Sequence, residues 1–412
     1  MKLIHRILIL NSLFEGGRLI VGATSVTYML SAGISLSSIA VLKIFQAITL
    51  IIFELPTGLF ADFFGRKKSL LIAVVFSILG FILNFLGKSF LCFAVAEIFY
   101  AISLSFWSGA YEAYAIEQAQ LSHQDLDHFF YKDQMTKNLS ILVLGFLGAC
   151  LGSLNLKWPY LASIFAFCAL AIIIYTLPET SVFNKFDLSN LIDLNSFSQK
   201  MISHFKIVKS HLNVFVNLKY FFLAQFGIQF IIQPMYHYWQ PFFKFINPHA
   251  TSINLGIIFA LFCGSSVLFG FLGTLASQHG KFKTKYHCWS LFFVFSILFF
   301  LISLFQNFVG VIILFSLTQG ILSLGRSNFI SHFNKNIQNS HRAITLSSLS
   351  FFSRFGSAVS LHYLSNFDKV KSIYSSYSII TFIFIIISGL FIYKNQLLKI
   401  FKLRSVSYGH NS

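Results

Sequence analysis

Residues 54–70 read ELPTGLFADFFGRKKSL and carry five formal charges, on Glu54, Asp62, Arg66, Lys67 and Lys68. The apolar run SSIAVLKIFQAITLIIF (37–53) precedes them and LIAVVFSILGFILNFLG (71–87) follows. Each flank, with its neighbours, approaches the roughly 20 apolar residues that a helix needs to cross a bilayer. A charged knot with two glycines and a proline between such runs marks a short loop joining two antiparallel membrane helices.

The rest of the chain repeats this layout. Of 412 residues, 56% are hydrophobic and only 10% charged, whereas soluble domains carry about 25% charged residues. With 53 phenylalanines, the chain has more apolar surface than a soluble core could bury, so lipid is the expected solvent. The net charge of +17 would also suit a nucleic-acid binder. No polar segment is large enough to hold a reader domain, so the basic residues are assigned to cytoplasmic loops instead. The five cysteines, Cys92, Cys150, Cys168, Cys263 and Cys288, are scattered in or beside apolar runs with no C-x-x-C pair. That pattern predicts neither a disulfide framework nor a metal site. Glu15 and Arg18 interrupt the first apolar run and no A-x-A site follows, so a retained first span is expected rather than a signal peptide.

Twelve spans are expected, at about 5–30, 38–61, 68–87, 89–116, 133–153, 158–177, 218–243, 251–277, 286–305, 308–329, 343–366 and 373–393. The long polar stretch 179–217 separates the sixth from the seventh. It divides the chain into an N-terminal six-helix bundle (1–178), a cytoplasmic central loop and a C-terminal six-helix bundle with a short tail (218–412). With the N-terminus inside, the inner segments and span ends carry 21 of the 30 Lys and Arg and the outer loops five. This bias puts both termini in the cytoplasm. The two halves also repeat. GLFADFFGRKK from Gly58 aligns with GTLASQHGKFK from Gly273, matching at five positions, with Asp62 replaced by Ser277.

The pattern Gly58, Asp62, Gly65, Arg66, Lys67 between spans two and three resembles the signature loop of the major facilitator superfamily. ELPTG (54–58), SGAYEAYAIEQ (108–118) and HRAITLSSLS (341–350) resemble a bacterial branch of it. The resemblance implies an all-α membrane protein with twelve transmembrane helices in two pseudo-symmetric six-helix bundles. It implies alternating access around a central cavity, lined by spans one, four, seven and ten. It also implies a cytoplasmic gate at the loop, made of Gly58, Asp62, Gly65, Arg66, Glu112 and Glu117. Gly58 and Gly65 are expected to make the tight turn. Asp62 is expected against the N-terminus of span eleven, near Ala343–Thr345, and Arg66 beside Glu112 or Glu117, holding one half to the other. Lys67 and Lys68 are expected to enforce orientation.

A charge at bilayer depth costs at least about 2.5–3.5 kcal/mol, which makes it a functional candidate. Arg18 and Arg354 are assigned to substrate binding. Glu15, Glu54 and Glu97 are assigned to proton coupling, because a carboxylate in a low-dielectric site can take up a proton. Glu15 lies one turn from Arg18, so the competing reading of these two is a local pair that cancels both charges. Lys43 and Arg326 are expected to snorkel. Gln225, Gln229, Gln233 and His237 recur every four residues along one face of span seven, with Tyr236 and Gln240 beside them. Gln229, Gln233, Tyr236 and His237 are assigned to the cavity wall, the competing reading being a hydrogen-bonded seam between helices. Pro234 and Pro241 are expected to bend span seven. Gly145, Gly148 and Gly152 of span five are expected to be close-packing positions.

The function expected is that of a secondary transporter, not an enzyme. No G-x-x-x-x-G-K-[ST] loop is present, and no compact catalytic motif. The solute is expected to be anionic or amphipathic, with multidrug export or a non-transporting receptor as rivals. Protons or another ion are the expected coupling partner in a bacterial cytoplasmic membrane. No cofactor, metal or nucleic acid is expected, and a monomer is.

Overall fold

A computed structural model describes residues 3–121, 126–178, 212–278, 287–304, 307–335 and 342–408. These residues form fourteen helices and, among them, no strand. In chain order they are α1 (Leu3–Leu19), α2 (Ser25–Ser31), α3 (Leu36–Phe64), α4 (Arg66–Leu86), α5 (Phe90–Leu121), α6 (Leu126–Leu154) and α7 (Trp158–Tyr175). After the central loop come α8 (Leu212–His237), α9 (Trp239–Ile246), α10 (Ser252–Gln278), α11 (His287–Leu304), α12 (Phe308–Lys335), α13 (Arg342–Leu364) and α14 (Val370–Tyr408). Among the described residues, seven helices are long and apolar enough to cross a membrane, and two shorter apolar stretches lie in α11 and α12. The helices make a twelve-span bundle in two halves, because the first and seventh spans are each broken in two.

Local sequence explains the starts. The Ser35 hydroxyl accepts from Ser38 N at 3.2 Å and caps α3. Thr251 and Asn254 cap each other reciprocally before α10, as a capping box does. Gly65 alone joins α3 to α4, at φ 99°, a left-handed conformation that only glycine adopts without strain. Gly58 corrects the expectation of a turn: it lies inside α3, which continues to Phe64. The apolar pattern around Gly58 holds the helix for nearly two more turns before the chain reverses.

The two breaks have different causes. In the first span the chain turns at residues 20–24, with Gly22 N bonding back to Leu19 O at 2.9 Å. In the seventh, Pro234 cannot donate to the carbonyl of Phe230. The Ser360 hydroxyl of α13 takes that carbonyl at 2.7 Å, and the helix ends three residues later at His237. Pro241 sits in the first turn of α9, where a missing N–H is tolerated.

One apolar core lies wholly within residues 7–177, where Phe14 stacks on Trp107 at 3.8 Å between ring centroids. The other is built mainly from residues 224–377, where Phe242 stacks on Tyr374 at 3.8 Å. Ala23, Ala40, Ala47 and Ala149 join the second core from the N-terminal half. Small residues let the halves approach closely where α6 packs on α10 and α3 on α13.

Candidate central cavity and its latches

Between the halves lies a cavity of about 530 Å³, within the range of small-molecule sites. Its walls differ. The N-terminal half contributes the charged residues, Arg18, Lys43 and Glu97, with Gln46, Asn84 and Tyr100, among apolar Leu19, Val21, Met29, Phe81 and Ile141. The C-terminal half contributes mainly aromatics, Tyr236, Trp239, Phe259 and Phe262, together with His237, Cys263 and Gln319. Spans one, four, seven and ten all reach it, through Arg18, Glu97, His237 and Gln319.

Each cation in this wall has a carboxylate partner. Arg18 pairs with Glu15 at 2.5 Å and donates to the Tyr100 hydroxyl at 2.8 Å. Lys43 corrects the snorkelling expectation: its ammonium meets Glu97 of α5 at 2.5 Å, with both side chains largely buried. Pairing offsets most of the cost of two charges out of water, and a nearby carboxylate holds Lys43 inward more strongly than the interface draws it out. Arg354 is not among the residues lining the cavity. It reaches Glu54 of α3 across the two halves at 2.9 Å, and the Ser350 hydroxyl donates to the same carboxylate at 2.8 Å. Glu54 is therefore a bridge between halves, not a cavity acid. Arg326 lies outside the described side chains.

The glutamine row divides. Gln225 donates to Ser353 at 3.3 Å, Gln233 donates to Ser357 at 2.9 Å, and Ser357 in turn donates to Gln229 at 3.4 Å. Gln225, Gln229 and Gln233 thus form a hydrogen-bonded seam between α8 and α13, which corrects the assignment of Gln229 and Gln233 to the cavity. Serines spaced four apart on α13 match glutamines spaced four apart on α8. Only Tyr236 and His237 of the row reach the cavity.

Gln240 has a different role. Thr24 makes no side-chain cap at the start of α2. Gln240, from the other half, supplies it: its Oε1 accepts from Val26 N and Thr27 N, both at 3.1 Å, and its Nε2 donates to Gly22 O at 2.8 Å. Its side chain is 1% exposed. Nearby, the Tyr238 hydroxyl donates to Leu36 O at 2.8 Å and Ser37 N to Asp368 at 3.2 Å. Bonds from the Ser37 hydroxyl and N–H hold the Asp368 carboxyl below the ordinary carboxylate range. These contacts close the α2–α9 end of the cavity between halves.

Of the loop at Gly65, the described contacts of Arg66 and Lys67 lie within the N-terminal half. Arg66 of α4 meets Glu117 of α5 at 2.5 Å and donates to Ala113 O at 2.8 Å. Both partners lie in the N-terminal half, so this contact braces α4 against α5, which corrects the expectation that it spans the halves. The reason is helix order: α5 packs directly on α4, nearer than any helix of the other half. Glu112 is exposed. Lys67 is more than an orientation charge, since it donates to Tyr175 O and Leu177 O at the end of α7. The Asp62 side chain, those of Ala343–Thr345, and the second copy of the loop from His279 lie outside the described residues.

Gly145, Gly148 and Gly152 of α6 lie against the break in the first span. A Cβ at Gly148 would fall on Ile20 O, one at Gly145 on Phe259, and one at Gly152 within 2.6 Å of Thr24. The turn at 20–24 can lie flat on α6 only because these side chains are absent.

Sequence reasoning missed Asn84, Tyr100, Tyr160 and Gln240 as parts of the site. It also missed Asp133, 6% exposed, which accepts from Asn11 at 2.7 Å and from Tyr111 at 2.6 Å. A polar residue in an apolar run was the available signal for Asn84 and Tyr100, whereas Asp133 stands between Lys132 and Gln134, where a charge is unremarkable. Among the described residues, no group of three or more His, Cys, Asp or Glu stands close enough to share a metal ion.

Three comparisons bear on this arrangement. A family model described as Major Facilitator Superfamily matches residues 7–361. An uncharacterized MFS-type transporter, YxaM of Bacillus subtilis (strain 168), is 29% identical over 247 residues, 57% of this chain and 57% of that one. The match thus spans little more than half of that relative. A crystal structure of the nucleoside transporter NupG superposes with a TM-score of 0.70 at 14% identity, covering 96% of this chain and 100% of that one. The crystal structure of a D-xylose-proton symporter superposes with a TM-score of 0.71 at 16% identity, covering 95% and 98%. At such identities the two structures speak for the fold.

Proposed function

This chain belongs to the Major Facilitator Superfamily and is a multi-pass membrane transporter of the secondary type, and on that premise we propose that protons drive it through Glu97. The observation that carries this reading is the Lys43–Glu97 pair in the cavity wall. With Glu97 ionised, the Lys43 charge is matched. A proton on Glu97 leaves the ammonium unmatched in the cavity wall, where it seeks hydrogen-bond acceptors on a solute. Proton uptake and solute binding are then linked energetically, each favouring the other. The Glu15–Arg18 pair, tied to Tyr100, offers a second site of the same design.

The solute we propose is small and amphipathic, with its polar side toward α3–α5 and its apolar side toward Trp239, Phe259 and Phe262. Arg18 and Arg354 together are the ground for expecting an anionic solute; Arg354 is held by Glu54 away from the cavity lining, which leaves Arg18. Its guanidinium is engaged by Glu15 and Tyr100, so it supports that class only if Glu15 is displaced. The latch of Glu54 and Arg354, with the Arg66–Glu117 brace, takes the role of cytoplasmic gate. The Gln240 contacts take that of the outer gate. Both termini then lie in the cytoplasm of a bacterial cell, the side that the basic loops favour.

The test uses protein reconstituted in vesicles. Counterflow with a panel of labelled solutes identifies one that exchanges. Glu97→Gln is expected to abolish its accumulation under a pH gradient while sparing exchange. Accumulation that persists in Glu97→Gln would refute proton coupling through this residue.

A further inference from the structure

Lys43 and Glu97 line the central cavity as a pair, and the two are not equally placed. The Lys43 side chain is 15% exposed and that of Glu97 6%, so a solute reaches the ammonium more readily than the carboxylate. The carboxylate is also thinly held. Its Oε1 takes a bond from Lys43, and its Oε2 is buried without a hydrogen-bond partner among the described residues. Several donors keep a buried carboxylate ionised; here Lys43 alone opposes a proton on Glu97.

That proton leaves one unmatched positive charge in the wall. Tyr100 and Tyr160 lie within electrostatic reach of Glu97, and His237 within reach of Lys43. None of them is a carboxylate, and Glu15 is engaged by Arg18. The replacement partner for Lys43 must then come from the solute. A solute cation would stand beside a like charge. A neutral solute would offer the ammonium dipoles alone. Two anionic groups would leave one of them unmatched. One carboxylate restores what Glu97 gave up, in charge and in hydrogen-bonding chemistry.

The α2–α9 end of the cavity favours the same sign. Lys88, Lys157, Lys244, Lys369 and Lys371 stand there with Asp368, the one acid at that end among the described residues. Tyr28 of α2 donates to Gly87 O, beside Lys88, at 3.3 Å. Lys157 lies over the Phe85 ring at 5.8 Å, and Lys244 belongs to α9. A mouth of one sign concentrates solutes of the other.

We propose that the solute is a monocarboxylate with an apolar body, and that its carboxylate replaces Glu97 as the partner of Lys43 once Glu97 has taken a proton. The inference rests on the reading of Glu97 as the proton carrier and deepens it by naming the charged group of the amphipathic solute. Tyr236, 43% exposed, and half-buried Phe259 line the cavity from the other half and receive the apolar body.

Equilibrium binding to purified full-length protein, at one fixed pH and without any gradient, tests it. The probes are benzoate, indole-3-acetate and hexanoate. Each is matched by its amide (benzamide, indole-3-acetamide, hexanamide) and by an amine of similar body (benzylamine, tryptamine, hexylamine). At least one carboxylate is expected to bind about tenfold more tightly than its amide, since a hydrogen bond between charged groups is the stronger. Glu97→Gln fixes the neutral form beside an intact Lys43. It is expected to keep that preference and to bind the carboxylate at least as tightly as the unsubstituted protein. Lys43→Gln combined with Glu97→Gln removes both charges together and strands neither. It is expected to abolish the preference, with both variants checked for monodisperse elution. Four results overturn the proposal: no carboxylate binds, an amide or amine binds as tightly as its carboxylate, Glu97→Gln loses carboxylate binding, or the preference survives in the double variant. Binding is read without a gradient and coupling by accumulation under one, so the carboxylate and the proton-coupling reading can fail separately.

Discussion

Glu54 of α3 and Arg354 of α13 join the two halves of the protein by an ion pair at 2.9 Å. Neither carboxylate nor guanidinium has a charged partner of this kind within its own half among the described ion pairs. The pair therefore exists only while α3 and α13 lie together. A contact made in one conformation and absent in the other shifts the balance between them by its own free energy.

Removing either partner should loosen this seam. Both side chains are about a quarter exposed, so screening keeps the effect to about 1 kcal/mol, a roughly fivefold change in population. Glu54→Gln and Arg354→Gln are each expected to increase cysteine labelling at the α3–α13 seam by about that factor. The exchanged pair, Glu54→Arg with Arg354→Glu, is expected to restore protection. Labelling that ignores the single substitutions, or a double variant as open as either single one, would contradict a latch.

At the other end Gln240→Ala should act in the opposite sense. It strands two buried N–H groups of α2 and the Gly22 carbonyl. The loss is about 2 kcal/mol, or roughly thirtyfold against the state closed at this end. Spin labels across α2 and α9 are expected to show the longer distance gaining population. Gln240→Glu keeps the acceptor that caps α2 but gives up the bond to Gly22, so an intermediate shift is expected. Identical distance distributions in all three proteins would rule the gate out.

Gly148 and Gly109 provide a paired test of the packing at the first break. A methyl at Gly148 strikes the backbone at Ile20, whereas one at Gly109 meets nothing within 4 Å. Gly148→Ala is expected to cost about 1–3 kcal/mol through overpacking and to lower the thermal midpoint. Gly109→Ala is expected to hold or raise it, since alanine is the better helix former. Equal midpoints would mean that α6 and the turn at 20–24 can separate without cost.

Much of the architecture was legible in the chain because the bilayer is a demanding solvent. Backbone groups in hydrocarbon must bond within their own segment, so apolar length alone marks helices, and basic residues alone suggest their direction. Gly65 was legible for a local reason, a positive φ between two helices. Gly58 was not, because nothing in the spacing of two glycines says which of them ends a helix. The glutamine row was read correctly as one face of α8, but which helix meets that face depends on how the helices wrap, and Ser353 and Ser357 of α13 meet it.

The same division holds for the charges. Sequence alone marked Glu15, Arg18, Lys43, Glu54, Glu97 and Arg354 as unusual, since each is a charge in an apolar run. Only Glu15–Arg18 could be paired from the chain, because three residues along one helix fix their distance. The pairs Lys43–Glu97 and Glu54–Arg354 are separated by 54 and 300 residues. They came from the tertiary structure, which brings α3 beside α5 in one half and beside α13 in the other. So did the trans cap by Gln240. The sequence by itself determined the twelve spans, their two halves and the polar residues that the membrane makes expensive. Packing between helices far apart in the chain decided which of those residues meet, because a side chain's partner is set by distance in space and a sequence records only distance along the chain.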